Sequence, residues 1–564
     1  MHDRTLDEIA WRLAKRGASR RDMLRGSGAA LAAIALSTVD SHRSAVAQAT
    51  PTADLSTATA SILTGEMLAS FEAFVAEKLA AYGVVGASIA IVQNGEVVFL
   101  NGFGVGELGK TNSVTPDTLF RIGSVTKSFS SMMAATLVDE GRMRWETPIV
   151  ELLPAFAVSD PALTPKLTES DAFCACTGLP RRDLELMFNA DELTREQLVA
   201  DVARLPLITD YGTTFAYNNQ LVAVGGYAAA VAGGGAQNDL AHAYEVVLRE
   251  QVLNPIGMKR TTLSLDDVLA GNDYSSPHSG DISGTLQVLP LLTDITAITP
   301  VDPSGGLWSN AREMARYVQT ELSRGINPDG TRVVSAENLE RTWQPGVRIQ
   351  AAPVGTPADL ASFLQNYALG WMTGNYRGKP LVTHGGDTFG FSAYVTFLPD
   401  ADAGVVVLTN SSGPGSYLIY SAIFRFLDML FDQPQTTDAE IEAMVAAAER
   451  AHAESLTHMG QIDEAVVMPY LGSYANPDLG NLTVSLRDGK LIFDVGEFRS
   501  ELRPQLDAGG ATTGYICVDA PLATFAPPMN VTLPAPEGDI YSVVLTVFTE
   551  PVEPNLVYTF TPVA

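Results

Sequence analysis

The 564-residue sequence predicts an α/β (α+β) protein: an antiparallel sheet flanked by helices, with a helical subdomain, followed by a small all-β barrel or sandwich. Three observations lead there. β-Rich runs stand near both ends of the first 430 or so residues with helical stretches between them, the pattern of one sheet closing around inserted helices. After Tyr470 the pattern changes to short β-rich runs separated by turn signals such as Asp488-Gly489. The chain is also too long for one ordinary core, so two or three folded units are expected.

Composition narrows the class. Hydrophobic residues make up 46% and charged residues 18%, values of a soluble globular protein. The balance of 36 Lys+Arg against 64 Asp+Glu gives a net charge of −28, which works against binding nucleic acid or anionic lipid. Cys174 and Cys176 stand one residue apart, where bridging is strained, and Cys517 is distant, so three free, largely buried thiols are expected. Neither a His-x-x-x-His nor a Cys-x-x-Cys pair occurs, and no metal or other cofactor is expected.

The elements follow in order. Ser19-Arg20-Arg21-Asp22-Met23-Leu24-Arg25, an apolar run over 26–36 and Ala45-Val46-Ala47 read as a twin-arginine signal over residues 1–47. That implies export to the periplasm or the exterior, with Gln48 as the mature N-terminus. No other stretch is long and apolar enough to span a bilayer. Residues 48–63, rich in Thr, Ala, Ser and Pro, read as a linker.

The first folded unit is expected over 64–435. Residues 84–92 and 96–100 form a hairpin across Asn94-Gly95, a type I′ turn signal. Residues 128–140 form a helix, with Met132, Met133, Leu137 and Val138 on its buried face and Gly141 ending it. Helical stretches and Gly/Pro-marked loops alternate to about residue 340. Residues 391–398 and 404–409 give a second antiparallel pair, and 417–431 an apolar helix packing on it. A helical linker over 436–465 leads to the barrel over 466–564, with strands expected at 482–486, 490–495, 515–518 and 543–548.

Four short motifs stand out, three of them with candidate chemistry. Ser124-Val125-Thr126-Lys127 opens the expected helix, where the helix dipole favours developing negative charge and Lys127 lies on the same face as Ser124. Such a lysine serves as base only when neutral, which burial or a nearby cation brings about. In Tyr217-Asn218-Asn219 the tyrosine is placed to shuttle a proton, and Asn219 to hold a substrate amide or orient the lysine. His384-Gly385-Gly386 starts the late strand pair, and its glycines allow close backbone approach to a ligand. Thr177-Gly178-Leu179-Pro180 marks a loop. Singly, each motif is weak.

In order and spacing together they resemble the β-lactamase-related serine hydrolases: class C β-lactamases, D-alanyl-D-alanine carboxypeptidases, D-aminopeptidases and esterases of one fold. Further segments carry the likeness: Phe120-Arg121-Ile122-Gly123 before the serine, Pro255-Ile256-Gly257-Met258, Pro303-Ser304-Gly305-Gly306-Leu307 and Tyr367-Ala368-Leu369-Gly370-Trp371. The resemblance covers about residues 65 to 435. The tail, with Tyr470-Leu471-Gly472-Ser473-Tyr474, looks like the lipocalin-like domain appended to some members. It implies an acyl-enzyme on Ser124, proton transfer by Lys127 and Tyr217, and an oxyanion hole from the backbone N–H groups of Ser124 and Asp387. Substrate contacts would come from Asn219, His384, Gly385 and Gly386.

The motifs also depart from the pattern. β-Lactamases and carboxypeptidases usually carry Lys-Thr-Gly as third motif, a fixed cation and a hydroxyl for the substrate carboxylate. Here the histidine is expected to be only partly charged near neutral pH, and Gly385 has no hydroxyl. The expectation therefore leans to small-molecule or peptide substrates: D-amino-acid-containing peptides or carboxylic esters. A β-lactamase or D-alanyl-D-alanine carboxypeptidase is the alternative, and a non-catalytic cell-wall-binding or sensor protein the second. Phe173-Cys174-Ala175-Cys176-Thr177-Gly178 replaces the relatives' Leu-x-His-x-Ser-Gly near the site.

Overall fold

The structure, a computed structural model, describes residues 54–189, 192–292, 298–350, 356–525, 528–549 and 555–563. The signal read over residues 1–47 lies outside them. Helix α1 (Gly65–Ala81) precedes the hairpin β1 (Gly86–Gln93) and β2 (Glu96–Gly104). Asn94 and Gly95 both have positive φ, +52° and +76°, as a type I′ turn demands. Helices α2 (Thr126–Asp139), α3 (Asn219–Ala232) and α4 (Ala311–Leu322) lie in the long insertion that follows. The sheet resumes with β3 (Val347–Arg348), β4 (Asn366–Tyr367), β5 (Met372–Tyr376), β6 (Lys379–Asp387), β7 (Ser392–Leu398) and β8 (Ala403–Thr409), then α5 (Pro414–Leu430) and α6 (Thr436–Thr457).

These strands form one eight-stranded sheet in the order β2-β1-β8-β7-β6-β5-β4-β3. β1 pairs antiparallel with β8, Ala90 opposite Val406, so chain segments more than 300 residues apart meet at the sheet centre. The period of two sends alternate residues to two cores. Ala90, Val92, Ala393, Val395 and Phe397 face the core shared with α2, α3 and α4, whereas Ala87, Ile89, Ile91 and Tyr394 face α1 and α5. Both faces are covered, which is why β1, β7 and β8 are buried along their whole lengths.

After α6 comes a closed eight-stranded antiparallel barrel: β9 (Gly472–Asn476), β10 (Gly480–Arg487), β11 (Lys490–Asp494), β12 (Arg499–Leu506), β13 (Thr512–Cys517), β14 (Met529–Thr532), β15 (Val543–Val547) and β16 (Leu556–Pro562). The first strand closes on the last, Ala475 opposite Thr561. Leu482, Val484, Phe493, Leu502, Leu545 and Phe560 form its core, and Leu184, Met187 and Phe188 of the first domain join them. Residues 54–63, the described part of the expected linker, lie along the first domain: Leu55 and Leu63 are buried, and Ser61 N donates to Leu430 O at 2.7 Å.

One sequence expectation is overturned. Cys174 and Cys176 are joined as a disulfide, their Cα atoms 5.2 Å apart. Ala175 between them adopts φ +51°, a left-handed turn that folds the chain back. Cys517 is free and buried, and burial pushes its thiol up to about 12.

Candidate active site

Gly123–Val125 form a single 3-10 turn leading directly into α2. Gly123 has φ +52°, and a Cβ there would lie 2.8 Å from Asp387 N. A Cβ on Gly386 would lie 1.9 Å from Ile122 O and 2.8 Å from Ser124 N. Two residues without side chains therefore let this turn press against the end of β6, bringing the amides of Ser124 and Asp387 to one place.

Ser124 is half-buried, while Lys127 on the next turn is fully buried. Lys127 Nζ lies 3.0 Å from Ser124 Oγ, 2.7 Å from Asn219 Oδ1 and 2.8 Å from Ser304 O. Two of these partners are carbonyl oxygens, which can only accept. A neutral amine has two N–H groups and one lone pair, so it satisfies both carbonyls and turns its lone pair to the serine hydroxyl. Burial, with the Arg181 guanidinium second, holds Lys127 well below the ordinary lysine pKa.

Tyr217 lies beside Ser124, and Lys127 Nζ stands 4.8 Å from its ring centroid. Burial pushes its pKa well above the usual phenol value, so it is a protonated phenol near neutrality. Asn219 opens α3, beside Asn218, whose side chain caps the helix by accepting from Leu221 N. Asn219 Oδ1 accepts from Lys127, and its Nδ2 donates to Asp183 Oδ1 at 2.9 Å. Both polar ends of Asn219 are thus engaged within the protein, and it orients the lysine.

The third motif differs from its expectation in one respect. His384 is 1% exposed. Its Nδ1 lies 2.6 Å from Gly385 O and its Nε2 3.1 Å from Tyr367 OH. Burial first, and Lys127 second, push its pKa down to about 3, so it is neutral throughout the physiological range rather than partly charged. Behind Gly385, a Cβ would meet the Tyr394 ring at 2.4 Å, which leaves no room for a hydroxyl-bearing side chain.

The structure thus gathers Ser124, Lys127, Tyr217, Asn219, His384, Gly385, Gly386 and Asp387 at one junction of α2, α3 and β6. Four participants were missed as site residues. Ser304 supplies a backbone carbonyl to Lys127, and its Oγ donates to Asn219 O at 2.5 Å. Tyr367 touches His384, and Asp183 touches Asn219. Arg181 pairs with Asp183 at 2.5 Å and stands 5.3 Å from the Tyr217 ring centroid. The signals were present for two: Ser304 and Tyr367 lie in segments that carry the family resemblance.

A serine, a buried lysine with a lowered pKa and a phenol around two neighbouring amides define a serine-hydrolase type of site on an antiparallel sheet with helices on both faces. The chain belongs to the Beta-lactamase family, whose model matches residues 71–427. An unguisins hydrolase of Aspergillus campestris is 27% identical over 445 residues, 73% of this chain and 77% of that one. A penicillin-binding protein 4 of Amycolatopsis lactamdurans is 25% identical over 345 residues, 61% of this chain and 85% of that one. In fold, the octameric penicillin-binding protein homologue of Pyrococcus abyssi matches with a TM-score of 0.56 at 21% identity, covering 87% of this chain and 99% of that one.

Proposed function

We propose that the protein is an exported serine hydrolase that forms an acyl-enzyme on Ser124, acting on D-amino-acid-containing peptides or carboxylic esters. The observation that carries this is the fully buried Lys127 amine held 3.0 Å from Ser124 Oγ by two carbonyl oxygens, where burial lowers its pKa and favours the neutral base. Ser124 Oγ attacks the scissile carbonyl carbon and passes its proton to Lys127. The carbonyl oxygen takes up negative charge facing the Ser124 and Asp387 amides, where losing one donor typically costs about 10²–10³ in rate. As the tetrahedral centre collapses, Tyr217 gives its proton to the leaving oxygen or nitrogen and regains one from the Lys127 ammonium. Water then adds to the acyl carbon, gives a proton to the same pair, and release of the acid restores the Ser124 hydroxyl.

Asn219 enters by orienting the base, and Gly385 and Gly386 by lining the acyl site with backbone. A relative named for hydrolysing unguisins supports hydrolysis as the general activity. The penicillin-binding relative gives the β-lactam or carboxypeptidase reading its weight, but the third motif offers no fixed cation to a substrate carboxylate. The reading includes twin-arginine export on residues 1–47 and a lipocalin-like role for the barrel. Among the described residues no helix is long and apolar enough to cross a membrane.

The test is labelling with a fluorophosphonate or a p-nitrophenyl ester followed by intact-protein mass spectrometry. The wild type gains the mass of one acyl or phosphonyl group, and Ser124→Ala gains none. Equal labelling of the variant would refute the assignment.

A further inference from the structure

We infer that His384 does not bind substrate: with Tyr367 it forms a buried hydrogen-bonded pair that backs and positions the Tyr217 ring, so the site selects acyl groups without a carboxylate at the third motif. This rests on the proposed acyl-enzyme chemistry and gives the third motif a different role within it.

Both nitrogens of His384 are committed inside the protein. The Gly385 carbonyl can only accept, so the imidazole proton resides on Nδ1, 2.6 Å away. Nε2 is then the acceptor, and Tyr367 OH donates to it across 3.1 Å. With its proton given to His384, the Tyr367 oxygen turns its lone pairs outward. Tyr217 packs on this pair, its ring perpendicular to that of Tyr367 with centroids 5.8 Å apart, and 6.4 Å from the His384 ring. The hydrogen-bonded His384–Tyr367 pair therefore forms the wall against which Tyr217 is held, beside the nucleophile.

Two observations argue against a substrate ligand at this position. His384 is 1% and Tyr367 0% exposed, so neither ring meets the cleft. Tyr367 also packs in a small core with Ala175, Ile349, Phe215 and Tyr217, an environment that fixes its ring. The feature that recognises a carboxylate in Lys-Thr-Gly relatives is thus absent in both parts: the cation is replaced by a neutral, internally bonded ring, and the hydroxyl by glycine under the Tyr394 ring. The motif keeps its place in the fold while its side chain faces the tyrosine behind the cleft.

The experiment compares kcat and KM of wild type, Tyr367→Phe, His384→Phe and His384→Gln on two substrates: p-nitrophenyl butyrate and mono-p-nitrophenyl glutarate, which adds a carboxylate. Tyr367→Phe removes one oxygen from a buried, packed ring, so folding is expected to survive; a thermal unfolding scan confirms it for each variant. Expected is a fall in kcat of about tenfold in Tyr367→Phe, part of the roughly 10²–10⁴ that a positioned proton-transfer group supplies. KM stays put, and both substrates lose equally. His384→Phe falls as far, whereas His384→Gln, which keeps an acceptor and an N–H, recovers part of the loss. A rise in KM for the glutarate alone in the His384 variants, with Tyr367→Phe indistinguishable from wild type, would overturn the inference. An unacylated wild type would instead overturn the Ser124 assignment, so the two failures are separate readouts.

Discussion

The chemistry of single residues turns on Lys127. A lysine three residues after a serine is legible in sequence, but whether it is a base depends on its surroundings, which sequence does not display. Here the surroundings are two carbonyl acceptors, full burial and the field of Arg181. They stabilise the neutral amine, and the sign of the pH dependence follows. The neutral fraction rises with pH through the folded-state pKa, which lies well below 10.5. The acylation rate of wild type should therefore increase with pH through a range below that of an ordinary lysine, and already be flat where such a lysine, near about 10.4, begins to titrate. Stopped-flow acylation across pH 5 to about 10.5 measures this. A limb centred near the ordinary lysine value would show a charged Lys127 and remove it as base. Lys127→Arg, permanently charged, should lose acylation altogether. Ser304 shows why part of the site stayed hidden: it acts on the lysine through a main-chain oxygen, which every residue possesses.

At the scale of elements, the disulfide loop and the segment bearing Tyr217 behave as one piece. Ala175 O accepts from Ala216 N at 2.8 Å, Cys176 O from Gly212 N at 2.8 Å, and Gly178 O from Ile208 N at 2.8 Å. Ala175 also packs with Tyr217 and Tyr367. The left-handed turn at Ala175, held by the Cys174–Cys176 bridge, thus aims the carbonyl that fixes the residue before Tyr217. Reading these cysteines as free thiols erred because close spacing disfavours a bridge only while the intervening residue stays in ordinary backbone regions. The chain-entropy model gives so short a loop only about 1–2 kcal/mol of stabilisation. Reduction by a dithiol, or Cys174→Ser with Cys176→Ser, should therefore lower the melting temperature little while lowering kcat several-fold. Parallel calorimetry and ester kinetics separate the two effects, and an unchanged kcat would detach the bridge from Tyr217. The central strands were legible because β1, β7 and β8 are dominated by β-branched, aromatic and other apolar residues. β12 was not: of its residues Ser500, Leu502 and Pro504 point inward, and two of these three lack the apolar signature.

The whole molecule explains what the barrel does for the site. One of its contacts with the first domain is the short helix Asp183–Met187, whose Leu184 and Met187, with the following Phe188, are buried in the barrel's own core. Phe188 stands 5.9 Å from Phe498 and 6.5 Å from Phe493, centroid to centroid, and Tyr558 OH donates to Glu185 Oε1 at 3.0 Å. A second contact, Phe389 on Phe498 at 5.2 Å, lies two residues beyond Asp387. The barrel therefore grips both arms of the cleft, the one carrying Arg181 and Asp183 toward Asn219 and the one leaving the third motif. Burying three apolar side chains makes this a structural joint, since each contributes about 1.5–3 kcal/mol. Phe188→Ala should loosen the Asp183–Asn219–Lys127 line and lower kcat by roughly ten- to hundredfold, as displacement of a positioning group does. Steady-state kinetics on a panel of p-nitrophenyl esters of increasing acyl length reads the outcome. A uniform fall in kcat marks a clamp on the base, whereas retained kcat with long acyl groups newly accepted would mark the barrel as a roof over the cleft instead.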